Sequence, residues 1–77
     1  ARWQALRQRQ LLAEPLCQRC LSYEIVTAGL HVDHVVPHKG DGVLFFDGGN
    51  LQTLCLSCHT YKTNEERKGT YLDFRKS

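Results

Sequence analysis

A single small α+β domain is the fold class this sequence predicts, and three observations predict it. The chain has 77 residues, 8.8 kDa and 42% apolar residues, room for one core and no second domain. Helix-forming stretches stand towards both ends, with two β-prone segments between them. Four cysteines fall as two C-x2-C pairs, Cys17 with Cys20 and Cys55 with Cys58, separated by 34 residues. A core of this size supplies roughly 3 to 5 kcal/mol of net stability, so the cysteines are expected to act as a staple. No run of about 20 apolar residues exists, which excludes a helical membrane span. A charged fraction of 23% with net charge +2 is not that of a disordered chain.

The elements follow in order. Residues 2–14 read as a helix, with Trp3, Leu6 and Leu11 on one face and Pro15 as its stop. Residues 16–21 form a tight C-Q-R-C knuckle, and Tyr23 to Thr27 is β-prone before a turn at Ala28-Gly29. Leu30 to Val36 is a strand rich in β-branched residues that ends at Pro37. A glycine-rich loop follows, with Val43 to Phe46 as an apolar run inside a long connection. Leu51 to Cys55 is the second strand, and a helix runs from Ser57 to about Arg67, stopped at Gly69 with a basic tail behind it.

The cysteine spacing favours one tetrahedral zinc site over two disulfides. Each C-x2-C turn brings two thiolates to the required separation, and two such turns close a four-thiolate site. A disulfide pair belongs to secreted mini-proteins, and no feature here suggests secretion. Four thiolates leave the ion no open position, so its role is folding, at roughly 10 to 16 kcal/mol by comparison with finger peptides. The intervening segment is about twice the usual length between ribbon knuckles of 15 to 20 residues. It holds most of the histidine, aspartate and asparagine able to do chemistry, so the zinc reads as a clamp on an active-site insert.

Positive charge gathers at the ends, in Arg2, Arg7, Arg9 and Arg19 and again in Lys62, Arg67, Lys68, Arg75 and Lys76. The middle is acidic, with Glu24, Asp33, Asp41 and Asp47 against Lys39. That pattern suits a central cation with phosphate contacts around it, although solvated faces would look the same.

Asp33, His34, Asn50 and His59 form a second constellation. A neutral imidazole can take a proton from water near neutral pH, and a carboxylate with an imidazole can hold a divalent ion, a pairing able to hydrolyse a phosphodiester. The segments Val32-Asp-His-Val-Val-Pro37, Gly49-Asn-Leu51 and Leu54-Cys-x2-Cys-His-x2-Lys62-Thr63 resemble the HNH endonuclease family, in its short phage-associated four-cysteine branch. The resemblance runs from Trp3 to about Glu66. It implies a ββα-metal domain with an N-terminal helix and a structural four-cysteine zinc site, spanning residues 1–77 with the active-site unit at about 30–67.

The resemblance also implies the roles. His34 is the general base, and Asp33 and His59 hold the catalytic ion. Asn50 either fixes the base-bearing loop or ligates the ion, both uses occurring in the family. Thr63 stands where some relatives carry a second helical histidine, and fewer nitrogen ligands favour magnesium or manganese over zinc. In an ideal strand Asp33 and His34 face opposite sides, so both serve one site only where the strand ends, twists or bulges. His59 follows Cys58, so the zinc aims it.

His31 reads as structural or surface, and His38-Lys39 as a possible phosphate or metal contact. Trp3, Leu6, Leu11 and Phe45 are expected in the core, Tyr23 and Tyr61 in core or rim, and Lys62, Arg7, Arg9 and Arg67 on solvent or on DNA phosphates. The expected function is a divalent-metal-dependent DNA endonuclease, nicking as a monomer and leaving 5′-phosphate and 3′-hydroxyl ends. The rivals are a catalytically spent, zinc-stapled DNA-binding module and an extracellular disulfide scaffold. With no methionine the chain reads as trimmed, and its expected location is the cytoplasm of a bacterial or phage-infected cell.

Overall fold

The computed structural model describes residues 1–36 and 39–72. His38, and Arg75 and Lys76 of the basic tail, lie outside the described residues. Helix α1 spans Arg2–Ala13 and α2 spans Gln18–Ser22; β1 is His31–His34, α3 is Gly42–Phe46, β2 is Leu51–Leu54 and α4 is Leu56–Lys68. A 3-10 turn, Gly48–Asn50, leads into β2. The strands pair antiparallel, with His31 opposite Leu54, Val32 opposite Thr53, Asp33 opposite Gln52 and His34 opposite Leu51. This is a small α+β fold around a two-stranded sheet, as expected, and among the described residues no helix is long and apolar enough to cross a membrane.

Opposed residues of an antiparallel pair share a face, so the sheet has two distinct sides. His34 and Thr53 look towards α1, where Trp3 stacks on His34 and Gln10 Nε2 donates to Thr53 Oγ1 at 3.1 Å. His31 and Asp33 look towards α4, where they meet His59 and Lys62. The outer edge of β2 is closed by the knuckle: Thr53 N donates to Gln18 Oε1 at 2.8 Å. Gly29 packs so tightly that an added Cβ would run into the Thr53 side chain and lie 3.1 Å from the Pro15 carbonyl oxygen. Any larger residue there would push the knuckle off the strand.

Every residue of β2 is buried, and the apolar core is Cys17, Leu51, Leu54, Cys55 and Cys58. Two leucines at about 1.5 to 3 kcal/mol each cannot offset backbone ordering at roughly 1 to 2 kcal/mol per residue. Three of these five core residues are cysteines, so the centre of the fold is the thiol cluster itself.

Several expectations are corrected here. Trp3, Leu6, Leu11 and Phe45 are only partly buried, with Trp3 and Phe45 packed on the His34 ring. Tyr23 to Thr27 forms no strand. Its backbone closes the knuckle through Ile25 N to Cys20 O and Cys17 N to Thr27 O, leaving Ile25 and Val26 exposed. The run Val43 to Phe46 is helical, because Asp41 caps it with its carboxylate on Val43 N at 2.9 Å and Leu44 N at 3.5 Å. Helix α4 ends as expected at Gly69, in the left-handed conformation with φ of 76° that glycine adopts without strain.

Candidate active site and metal centre

Cys17 caps α2 and Cys55 caps α4, so each C-x2-C pair sits at the start of a helix, where turning backbone presents both thiols to one point. The four ligand atoms all lie within 4.8 Å of one another, with Cys20 Sγ 3.8 Å from Cys55 Sγ and 3.7 Å from Cys58 Sγ. Tetrahedral coordination with metal–sulfur bonds of about 2.3 Å requires sulfurs about 3.8 Å apart, so the donor set fits one such ion. Burial opposes ionisation of Cys17, but amide hydrogen bonds from Cys20 and Cys55 outweigh it and lower the thiol to about 7. Burial pushes Cys58 up to about 12 against the pull of Arg19, and Cys20 is raised.

Arg19 supports this centre from outside. Its NH1 donates to Cys58 Sγ at 3.6 Å while its guanidinium lies 4.2 Å from the Tyr61 ring centre and 5.5 Å from that of Tyr23. Both tyrosines are therefore rim residues holding a cation against the cysteine cluster.

The second constellation is built where β1 ends. His34 is the last residue of the strand, 9% exposed, with its ring stacked on Trp3 at 5.4 Å and tilted against Phe45 at 5.1 Å. Its Nε2 lies 3.1 Å from the Phe45 carbonyl oxygen, which can only accept, so Nε2 carries the proton and Nδ1 is the basic nitrogen of the neutral ring. Helix α3, invisible in the sequence reading, supplies that carbonyl. Asp33 turns its carboxylate back along the strand so that Oδ1 accepts from the His34 backbone N–H at 2.8 Å. The strand ends at His34, and the two side chains leave it on opposite faces, His34 against Trp3 and Asp33 against Lys62.

Asn50 is 6% exposed and fully engaged as a clamp. Its Oδ1 accepts from Val36 N at 2.8 Å, its Nδ2 donates to Val36 O at 2.9 Å and Leu44 O at 3.3 Å, and its own carbonyl accepts from Val35 N at 2.8 Å. It ties the segment after His34 to α3.

Among the described residues His59 meets His31: the two rings stack with centres 4.6 Å apart and planes 15° from parallel. His31, expected to be structural, therefore lies beside a site residue. Among the described residues, the four cysteines are the group of three or more histidine, cysteine or acidic ligands brought within 4.8 Å of one another; Asp33, His34 and His59 are not brought together in such a group. Lys62 is the clearest correction. It is neither solvated nor free for DNA, being 2% exposed, with Nζ 3.1 Å from Asp33 Oδ2 and 2.7 Å from Glu66 Oε2. Gln52, opposite Asp33, is fully buried with its carboxamide lacking a hydrogen-bond partner among the described residues. The one signal for it in the sequence is a polar residue at an inward position of L-Q-T-L.

Comparison with known proteins decides the family. The family model described as HNH endonuclease matches residues 17–65, most of the chain. This chain belongs to the HNH endonuclease family. It is similar to the crystal structure of the HNH endonuclease of the deep-sea thermophilic bacteriophage GVE2 with a manganese ion, at 35% identity and a TM-score of 0.82 over 91% of this chain and 77% of that one. No curated protein matches the chain. As an HNH endonuclease it is a nuclease acting on DNA with a divalent metal, and its four-cysteine cluster fits the zinc-containing branch.

Proposed function

We propose that residues 1–77 form one HNH nuclease domain that nicks DNA by hydrolysing a phosphodiester bond, with His34 as general base, Asp33 and His59 holding magnesium or manganese, and zinc in the cysteine cluster. The observation that carries this reading is the hydrogen bond from His34 Nε2 to the Phe45 carbonyl. It selects the tautomer whose Nδ1 accepts a proton, and the flanking Trp3 and Phe45 rings hold the imidazole plane.

His34 Nδ1 takes the proton of the attacking water. Asp33 is oriented by the His34 amide, and His59 by its position next to Cys58 and by the His31 ring. When bound, a divalent ion supplies offsetting charge to the phosphoryl oxygens and to the departing 3′ oxygen. Asp33 and His59 would hold the ion, and so small a set of protein ligands suits magnesium or manganese. Asn50 keeps Val35 and Val36, and with them the end of β1, against α3.

A single site meets one scissile phosphate, so a monomer nicks and a double-strand cut needs a second binding event. The basic side chains Arg9 and Arg67 are exposed and suited to phosphate contacts without base reading. The test is supercoiled plasmid incubated with a panel of divalent ions and a chelator control. Nicked circles in magnesium or manganese, absent with chelator, are expected; metal-independent binding without nicking would instead establish the spent DNA-binding module.

A further inference from the structure

A lysine at 2% exposure is rare unless paired, and Lys62 is paired twice. Its Nζ lies 3.1 Å from Asp33 Oδ2 and 2.7 Å from Glu66 Oε2, one helical turn further along α4. The other Asp33 oxygen accepts from the His34 amide at 2.8 Å, so both oxygens are engaged, one of them by a full positive charge. The Tyr71 ring, with its centre 5.4 Å from Nζ, lies against the same ammonium. The carboxylate read as a metal ligand therefore already has a cation beside it, shared with a second carboxylate that lies closer to the ammonium.

A divalent ion bound through Asp33 shares that carboxylate with a like charge a few ångströms away, in a partly desolvated setting where screening is weak. We propose that Lys62 is an internal counter-ion that competes with the divalent metal for Asp33 and sets the affinity of the site, with Glu66 drawing the ammonium away from Asp33. Metal uptake is then an exchange of cations at one carboxylate. Were Lys62 merely a prop for Asp33, removing it would loosen the ligand and weaken metal binding, so the two roles differ in sign.

The inference rests on Asp33 being a metal ligand, and the experiment separates the two. Manganese binding to the folded full chain is measured from the electron paramagnetic resonance of free Mn2+, without DNA and without turnover. Lys62→Met is expected to bind Mn2+ at least tenfold more tightly; equal or weaker binding overturns the inference. Glu66→Gln leaves Lys62 wholly to Asp33 and is expected to weaken Mn2+ binding several-fold. Unchanged or tighter binding there also overturns it, which keeps the test intact if Lys62→Met does not fold. Asp33→Asn is expected to lose Mn2+ binding. If it binds as the wild type does, the ligand assignment falls and this inference with it; loss in Asp33→Asn beside unchanged binding in Lys62→Met removes the competition alone.

Discussion

Replacing Asn50 with aspartate distinguishes a residue that clamps a loop from one that ligates a metal. The aspartate keeps an acceptor for Val36 N, but its second oxygen replaces an amide that donates to Val36 O at 2.9 Å and Leu44 O at 3.3 Å. Two hydrogen bonds are lost, at about 1 kcal/mol each, and a carboxylate oxygen is set against two carbonyl oxygens at a position only 6% exposed. The sum is about 3 to 5 kcal/mol, comparable with the net stability a core of this size provides. At roughly 4 to 8 °C per kcal/mol for a domain this small, the melting temperature should fall by at least about 12 °C. The assay is thermal unfolding of zinc-saturated protein followed by circular dichroism, beside Mn2+ affinity. A metal ligand would respond in the opposite way, since a carboxylate is a harder and charged donor for manganese. Unchanged melting with tighter Mn2+ binding in Asn50→Asp would therefore refute the clamp.

His34→Phe keeps an aromatic ring against Trp3 and Phe45 and should remain folded with full zinc content while plasmid nicking drops by about 10²-fold or more; nicking at the wild-type rate would remove His34 as the base. Cys55→Ala takes away one sulfur of the cluster, and should leave the domain unfolded at 37 °C by circular dichroism, as should zinc chelation of the wild type. Arg19→Met removes the donor to Cys58 Sγ and should weaken zinc binding about 10- to 100-fold in a competitive chelator titration, with the fold retained at saturating zinc. Cys58, pushed up to about 12, and Cys20, raised above 9.0, are protonated in the metal-free fold at pH 7, so zinc uptake should release roughly two or more protons per ion. Affinity for zinc then falls as pH falls, and indicator-dye measurements showing no proton release would contradict the thiol assignments.

The metal cluster was legible in the sequence because its information is local. C-x2-C spacing places sulfurs by turn geometry, and the surrounding fold only has to bring two turns together. The same holds for the stop at Gly69, whereas β1 ends at His34, two residues before the expected Val36. The short helix α3 is not legible in its apolar run, which has no helical period; its marker is the capping carboxylate of Asp41. That hides the carbonyl on which the His34 tautomer depends. Lys62 and Gln52 were beyond a sequence reading for another reason. A lysine on a helix is ordinarily solvated, and only the register of α4 over β1 puts this one between two carboxylates. Hydrophobicity alone points to the large apolar residues as the core, whereas β2 is enclosed on both sides and takes polar Gln52 and Thr53 inside with it.

Gly29 carries a consequence for anyone mutating this protein. It touches neither metal nor substrate, yet the space beside its α-carbon is already taken by Thr53 and the Pro15 carbonyl. A saturation scan scored by cleavage should rank this position as intolerant as the cysteines themselves. The defect would be one of assembly, visible as insoluble or zinc-poor protein before any DNA is added.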